Sequence, residues 1–304
     1  MRKTAKFIYT LAAISSLATF GTFFYPTVSD AWNRYVSSKL ISEYVSNESE
    51  EEDYTQEYES AVNYNKNLLA EGTNNISSYS VKLSGDTSEE DSTTLSGEVI
   101  NPDSEYESEV NVFENGMMGY IEIPKINVSL PIYHYTSEEV LAKGIGHLYG
   151  SSLPVGGKGN HAVLTGHCGL MSAKLFTDLD NLIEGDIFTI HILGKELTYQ
   201  VDQIKTVLPN QTEDLSIDKD KDYVTLITCT PYGVNSHRLL VRGERITNID
   251  ETNDNDETLI QKTKEIVNFP ISIFIFSGLC VIIHLTIIVI IWRKPLCKRN
   301  DSEK

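Results

Sequence analysis

Between Gly119 and Ile246 the chain is a train of short runs in which apolar and polar residues alternate: "GYIEIPKI", "VSLPIYHY", "HAVLTGH", "DIFTIHIL", "KELTYQVDQIKTVL", "YVTLITC" and "RLLVRGERI". Gly, Pro and Asn cut each run off before the next. Strands this short, with turn signals between them, bury their apolar faces only by closing on one another, so a sandwich or barrel is expected. Two helical insertions are expected, around Ser137 to Lys143 and Ser172 to Leu179. The fold class is therefore mostly β, in a unit of about 130 residues, an ordinary domain size.

The two ends have a different character. Arg2, Lys3 and Lys6 precede the apolar run "FIYTLAAISSLATFGTFFY", the layout of a signal peptide or signal anchor. Ser16 and Ala18 offer small residues for cleavage, but the apolar run continues to Phe24, which favours an uncleaved anchor. Near the other end "FPISIFIFSGLCVIIHLTIIVIIW" carries no Asp, Glu, Lys or Arg, and it is long enough to cross a hydrocarbon core of about 30 Å. The basic "RKPLCKR" follows it. The positive-inside rule then predicts both termini in the cytoplasm and everything between them outside, with the lipid bilayer as a partner. The expected organisation is an anchor over 1–28, a helical region with an acidic linker over 29–118, the β domain over 119–247, a linker over 248–267, a second span over 268–292 and a basic tail over 293–304.

Within the second of these segments Trp32, Val36, Leu40 and Tyr44, then Tyr58, Val62 and Leu69, recur at helical spacing, so two helices are expected. The acidic run "NESEEEDYTQEYE" between them reads as a solvated face or connection. The stretch from Gly72 to Glu109 is rich in Ser, Thr, Asn, Gly and acids, and reads as a linker or flap. With 25 Lys and Arg against 43 Asp and Glu the chain is strongly acidic. That argues against a nucleic-acid partner, which needs clustered cations.

One run ends on chemistry. In "YVTLITC" alternation puts Tyr223, Thr225, Ile227 and Cys229 on one face and Val224, Leu226 and Thr228 on the other. Cys229 closes the run, so its thiol emerges at the rim of the sheet. If "RLLVRGERI" pairs back as a hairpin, Arg238 comes beside Cys229, with Arg242 on the same face as a competing candidate. A nucleophilic thiol needs an imidazole to take its proton and donors for the developing oxyanion; His167, at the Gly-flanked end of "HAVLTGH", is the candidate imidazole. Taken singly, each has a plainer reading: a buried small hydrophobe, a turn histidine, a surface cation. His147, His161, His167 and His237 show no tight ligand spacing, so neither a metal nor a cofactor is expected.

These residues lie in stretches that resemble the sortases, cysteine transpeptidases of Gram-positive cell surfaces, and most closely their pilus-assembling class C. The resemblance rests on "GYIEIPKINVSLPIYHYTSEEVLAKGIGHLYGSSLPVGGKGNHAVLTGHCGLMSAKLFTDLD", "GDIFTIHILGKELTYQVDQIKTVLPN" and "DYVTLITCTPYGVNSHRLLVRGERI", which cover nearly all of Gly119 to Ile246. TGH followed by LITCTPYGVNSHRL is a specific signature. It implies an eight-stranded sortase-type β-barrel with N-terminal helices and membrane spans at both ends. It also implies His167 as the histidine, Cys229 as the nucleophile and Arg238 as the arginine. The implied reaction is cleavage of an LPXTG-like sorting signal between Thr and Gly through a thioacyl enzyme, resolved by a lysine amine of the next pilin subunit.

Three departures from the family pattern stand out. The lid motif of class C, Asp-Pro followed by an aromatic, has its nearest match in Asn101-Pro102-Asp103, which lacks both the acid and the aromatic. Cys168 stands after the histidine, where Arg or Thr is usual, and Met171 stands where Pro is common. Other expectations compatible with the same residues are attachment of surface proteins to cell-wall peptide, hydrolysis by a cysteine endopeptidase, and a non-catalytic surface or assembly module.

Overall fold

In the computed structural model the described residues are 2–48, 53–70, 103–113, 116–246, 278–286 and 289–290. Eight strands form the barrel: β1 (Met117–Ile123), β2 (Val128–His134), β3 (Ile145–His147), β4 (Asn160–Thr165), β5 (Ile187–Ile192), β6 (Lys195–Val207), β7 (Asp222–Thr230) and β8 (His237–Arg245). They close in the order β1-β2-β3-β4-β7-β8-β6-β5. Closure leaves no unpaired edge along the wall, which removes the template for intermolecular strand pairing.

Alternation along each strand fills the lumen. In β5 the burial pattern has period 2, with Phe188, Ile190 and Ile192 inward. They meet Ile121, Ile132, Leu164, Tyr199, Val224, Leu226 and Val241 in the main core. Strand β4 is buried on both faces: Ala162 and Leu164 belong to that core, while Val163 joins a second cluster with Leu141, Leu148, Leu215, Ile227, Cys229 and Leu240. Leu141 comes from α4 (Glu138–Lys143), which Ser137 caps through the Val140 N–H at 3.3 Å. The helical expectation for that insertion holds. The one around Ser172 to Leu179 folds instead as turns ending in a 3-10 turn over Leu179–Asn181.

The N-terminal half differs from expectation in two places. The boundary expected at residue 28 falls inside one continuous helix, α1 (Arg2–Asn47), which runs through Pro26. The two expected helices are its second half and α2 (Thr55–Ala70). Tyr44 on α1 donates to the carbonyl of Met118 at 3.3 Å and accepts from the Leu193 N–H at 3.1 Å, tying the helix to the barrel. Asn65 on α2 exchanges two hydrogen bonds with the Leu153 backbone, at 3.0 and 2.7 Å.

Secondly, the stretch read as a flap up to Glu109 contains a short helix, α3 (Ser104–Ser108). Asp103 caps it through the Glu105 and Tyr106 N–H groups. Tyr106 is wholly buried and shares a 2.7 Å hydrogen bond with His147 Nδ1. Burying such a ring contributes about 2–3 kcal/mol, enough to fix an otherwise acidic segment. Asn101 and Pro102 of the lid candidate lie outside the described residues; Asp103 serves the cap and accepts from Tyr149 Oη at 2.7 Å.

Among the described residues one helix, within α1 from Phe7 onward, is long and apolar enough to cross a membrane. Residues 278–286 are also helical, and His284 Nε2 lies 3.2 Å from Ser16 Oγ of α1. Most of the expected second span lies outside the described residues.

Candidate active site

Register brings the candidate residues together. Strands β4 and β7 pair in parallel with Val163 opposite Thr225 and Thr165 opposite Ile227. Two residues further along each chain stand His167 and Cys229. The pairing continues past the end of β4, since the Gly166 N–H donates to Ile227 O at 3.0 Å and Thr228 Oγ1 donates to Gly166 O at 2.8 Å. On the other side, β7 and β8 pair antiparallel with Cys229 opposite Arg238. Cys229 and Arg238 are therefore cross-strand neighbours on the face lined by Val163, Ile227 and Leu240, and His167 stands two residues past the end of the adjacent strand β4.

The residue before His167 has to be glycine. A Cβ on Gly166 would stand 2.7 Å from both Ile145 Cδ1 and Phe176 Cδ2, closer than carbon atoms approach. That close packing seats the start of the loop on the core, and the Phe176 N–H returns to His167 O at 3.1 Å. The ring of Tyr232, from the β7–β8 loop, covers Gly169 closely enough that a Cβ there would meet it at 2.9 Å. Tyr232, Val234 and Met171 are solvent-exposed apolar side chains on these two loops.

Electrostatics distinguish the three groups. Cys229 is 3% exposed; burial pushes its thiol above the ordinary range, and the Arg238 guanidinium pulls it part of the way back. Arg238 is buried, and its Nη1 donates to the carbonyls of Asn235 and His237 at 3.0 and 3.1 Å. His167 presents Nε2 at 3.6 Å from Glu138 Oε2, at the start of α4. Nothing in the sequence marks Glu138 as a neighbour of the histidine, because the contact depends on how α4 docks.

Cys168 packs against the same cluster as Cys229. Burial raises its thiol, with further contributions from Cys229, Asp180 and Asp178. Both thiols are free. Arg242, the competing cation, lies opposite Thr225. It is clamped by Asp202 through three contacts of 2.7 to 3.2 Å and stacks 4.1 Å over the Tyr223 ring. Among the described residues no three His, Cys, Asp or Glu side chains are grouped to hold a metal.

The sortase domain model matches residues 121–246. Sortase C1 from Streptococcus agalactiae is 46% identical with a TM-score of 0.56, covering 69% of this chain and 99% of that one. Sortase C from Clostridium perfringens is 41% identical with a TM-score of 0.52, over 69% and 99%. Among curated relatives, Sortase D of Bacillus subtilis is 32% identical over 132 residues, 42% of this chain and 64% of that protein. Sortase A of Bacillus anthracis is 31% identical, over 48% and 67%. The chain belongs to the sortase family, whose members are cysteine transpeptidases, and its structural neighbours include class C sortases.

Proposed function

We propose that this protein is a membrane-anchored class C sortase that joins pilin subunits. The observation that carries the reading is the pairing of Cys229 with Arg238 across β7 and β8, with His167 two residues past the end of neighbouring β4. Cys229 Sγ attacks the Thr carbonyl of an LPXTG-type sorting signal as its proton passes to His167, and the Arg238 guanidinium neutralises the oxyanion of the tetrahedral intermediate. Collapse breaks the Thr–Gly bond. His167 hands its proton to the departing glycine amine, leaving a thioester on Cys229. A lysine amine of the next subunit then attacks the thioester and passes its proton to His167. An isopeptide bond forms, and the thiolate leaves and regains a proton.

The exposed Tyr232, Val234 and Met171 offer apolar surface for the Leu-Pro end of the signal. No cofactor or metal enters this sequence of steps. The apolar start of α1 anchors the protein, the segment 268–292 forms the second span, and both termini face the cytoplasm with the barrel outside. The three site residues, the segment boundaries and this topology are part of the same proposal.

Joining of pilins is favoured over attachment to cell-wall peptide by the neighbours: sortase C1 of GBS pilus island 1 is 37% identical with a TM-score of 0.55, over 72% of this chain and 97% of that one. The test is product analysis with the full chain in detergent micelles, a sorting-signal peptide, and either a lysine-bearing pilin peptide or a cell-wall peptide amine as acceptor. An isopeptide product with the pilin lysine supports the reading. A product with the cell-wall amine alone replaces it with the attachment reading, and free LPXT acid in both mixtures makes the protein an endopeptidase.

A further inference from the structure

Two hydrogen bonds tie helix α1 to the loop that follows His167. Asn33 Nδ2 donates to Ser172 O at 2.7 Å, and Asp30 Oδ1 accepts from the Lys174 N–H at 2.9 Å. Arg34 holds the other oxygen of the same carboxylate at 3.3 Å. Between helix and loop lies a cleft of about 130 Å³, lined among others by Asp30, Asn33, Arg34, Lys174 and Leu175.

The loop leaves His167 and returns to it. The Phe176 N–H donates to His167 O at 3.1 Å, and the Gly169 N–H donates to Thr177 Oγ1 at 3.0 Å. At the return, Leu175 is buried with φ at +43°, a left-handed conformation that a branched residue keeps only where its surroundings impose it. The imposed part lies next to Lys174, whose N–H is the one held by Asp30. The loop is thus fixed at its base by the barrel and at its far side by α1.

We propose that Asp30 and Asn33 are positioning residues for the transfer reaction: through Ser172 and Lys174 they hold the His167 loop, and so the imidazole, in register with Cys229. This rests on the reading of His167 as the proton-transfer group. It makes the stretch of α1 that follows the apolar run a working part of the site. Neither residue touches the reacting atoms, so losing the Asp30 tie lowers turnover; losing the Asn33 tie at Ser172, next to the exposed Met171, also disturbs the proposed peptide-binding surface. A displacement of about 1 Å in a proton-transfer group costs up to about 100-fold in rate.

The experiment uses the full chain in detergent micelles, with Asp30→Ala, Asp30→Asn, Asn33→Ala and Asn33→Asp. It reads kcat and KM for thioester formation from a sorting-signal peptide, the melting temperature, and hydrogen exchange in the segment around Lys174. Asp30→Ala, Asn33→Ala and Asn33→Asp are expected to lower kcat about 10- to 100-fold, with KM near wild type in Asp30→Ala and raised in the two Asn33 variants, because Met171 adjoins Ser172. Exchange in the segment around Lys174 rises in Asp30→Ala. Asp30→Asn keeps an oxygen to accept from Lys174 and is expected to restore both rate and protection. Wild-type kcat in Asp30→Ala and Asn33→Ala overturns the proposal, as does a loss that Asp30→Asn does not rescue and that follows the fall in melting temperature. Failure of the wild type to form a thioester removes the functional reading and the positioning role with it, and the exchange data then report whether the tie itself exists.

Discussion

Along strands β4, β7 and β8 and the loop that continues β4, a histidine and an arginine occur twice. Further from the rim His161, Thr225 and Arg242 lie together; at or just past the strand ends stand His167, Cys229 and Arg238. The inner set is saturated. His161 Nδ1 meets Ser216 O at 2.9 Å, Nε2 meets Thr225 Oγ1 at 2.7 Å, and burial pushes the imidazole pKa down to about 4. Arg242 is committed to Asp202 and Tyr223. The outer set sits where the ladder ends and loops take over, so its imidazole meets a half-exposed Glu138 rather than a buried acceptor. A histidine is structural when both ring nitrogens are matched inside the wall, and available for chemistry when the strand runs out beneath it.

The largest difference between the two sets is expected on replacing Cys229 or His167 by Ala. Thioester formation should be abolished in the first and fall by a factor on the order of 10³ in the second, with melting temperatures close to wild type. His161→Ala should do the reverse, costing about 3 kcal/mol of stability in urea unfolding through the lost buried hydrogen bonds and the cavity, with the rate per folded molecule retained. A His161→Ala protein with full stability and no turnover would break the comparison.

The arginines sharpen it. Arg238→Ala should lower kcat for thioester formation by about 10²- to 10³-fold, as expected for an oxyanion donor. Arg242→Ala should instead lower the stability read from urea unfolding, by about 1–3 kcal/mol for a half-buried pair, with kcat little changed.

Acid should act on the buried histidines. His147 is also wholly buried, with its pKa pushed down to about 4, chiefly by burial. In the unfolded chain a histidine binds its proton below about pH 6.5, while these two stay neutral down to about 4 in the folded state. Stability from both is present above pH 6.5 and lost as pH falls from 6.5 towards 4, by up to about 3 kcal/mol each. Urea unfolding at pH 7 and pH 4.5 measures it, and His147→Gln should flatten the dependence.

The smallest effect concerns the thiol. Because burial raises Cys229 and Arg238 partly offsets this, alkylation of Cys229 by iodoacetamide should keep accelerating beyond the ordinary thiol range of about 8.5. Arg238→Ala should move the curve to still higher pH. A curve that levels off at neutral pH would contradict the burial argument.

Much of this was legible in the residues. Alternation in "YVTLITC" places Cys229 with Thr225 and Ile227, as the register shows. Seven strands announce themselves by period-2 runs; β3 does not, because it has three residues, one of them Gly146, where a Cβ would stand 2.3 Å from Tyr135 O. Helix α3 hides in an acidic stretch, although Asp103 followed by Glu105 and Glu107 is a legible start signal. The contacts from Glu138 to His167 and from Asp30 to Lys174 join segments far apart in sequence, and no local pattern encodes them.

The central claim is that Cys229, flanked by His167 and Arg238, forms the thioester. Intact-mass spectrometry of the full chain in micelles with an LPXTG-type peptide, beside Cys229→Ala, tests it most directly. The account predicts an adduct of the LPXT fragment, mapped to Cys229 and absent from the alanine variant. An adduct on Cys168 instead, or none on folded protein across several sorting peptides, would contradict it.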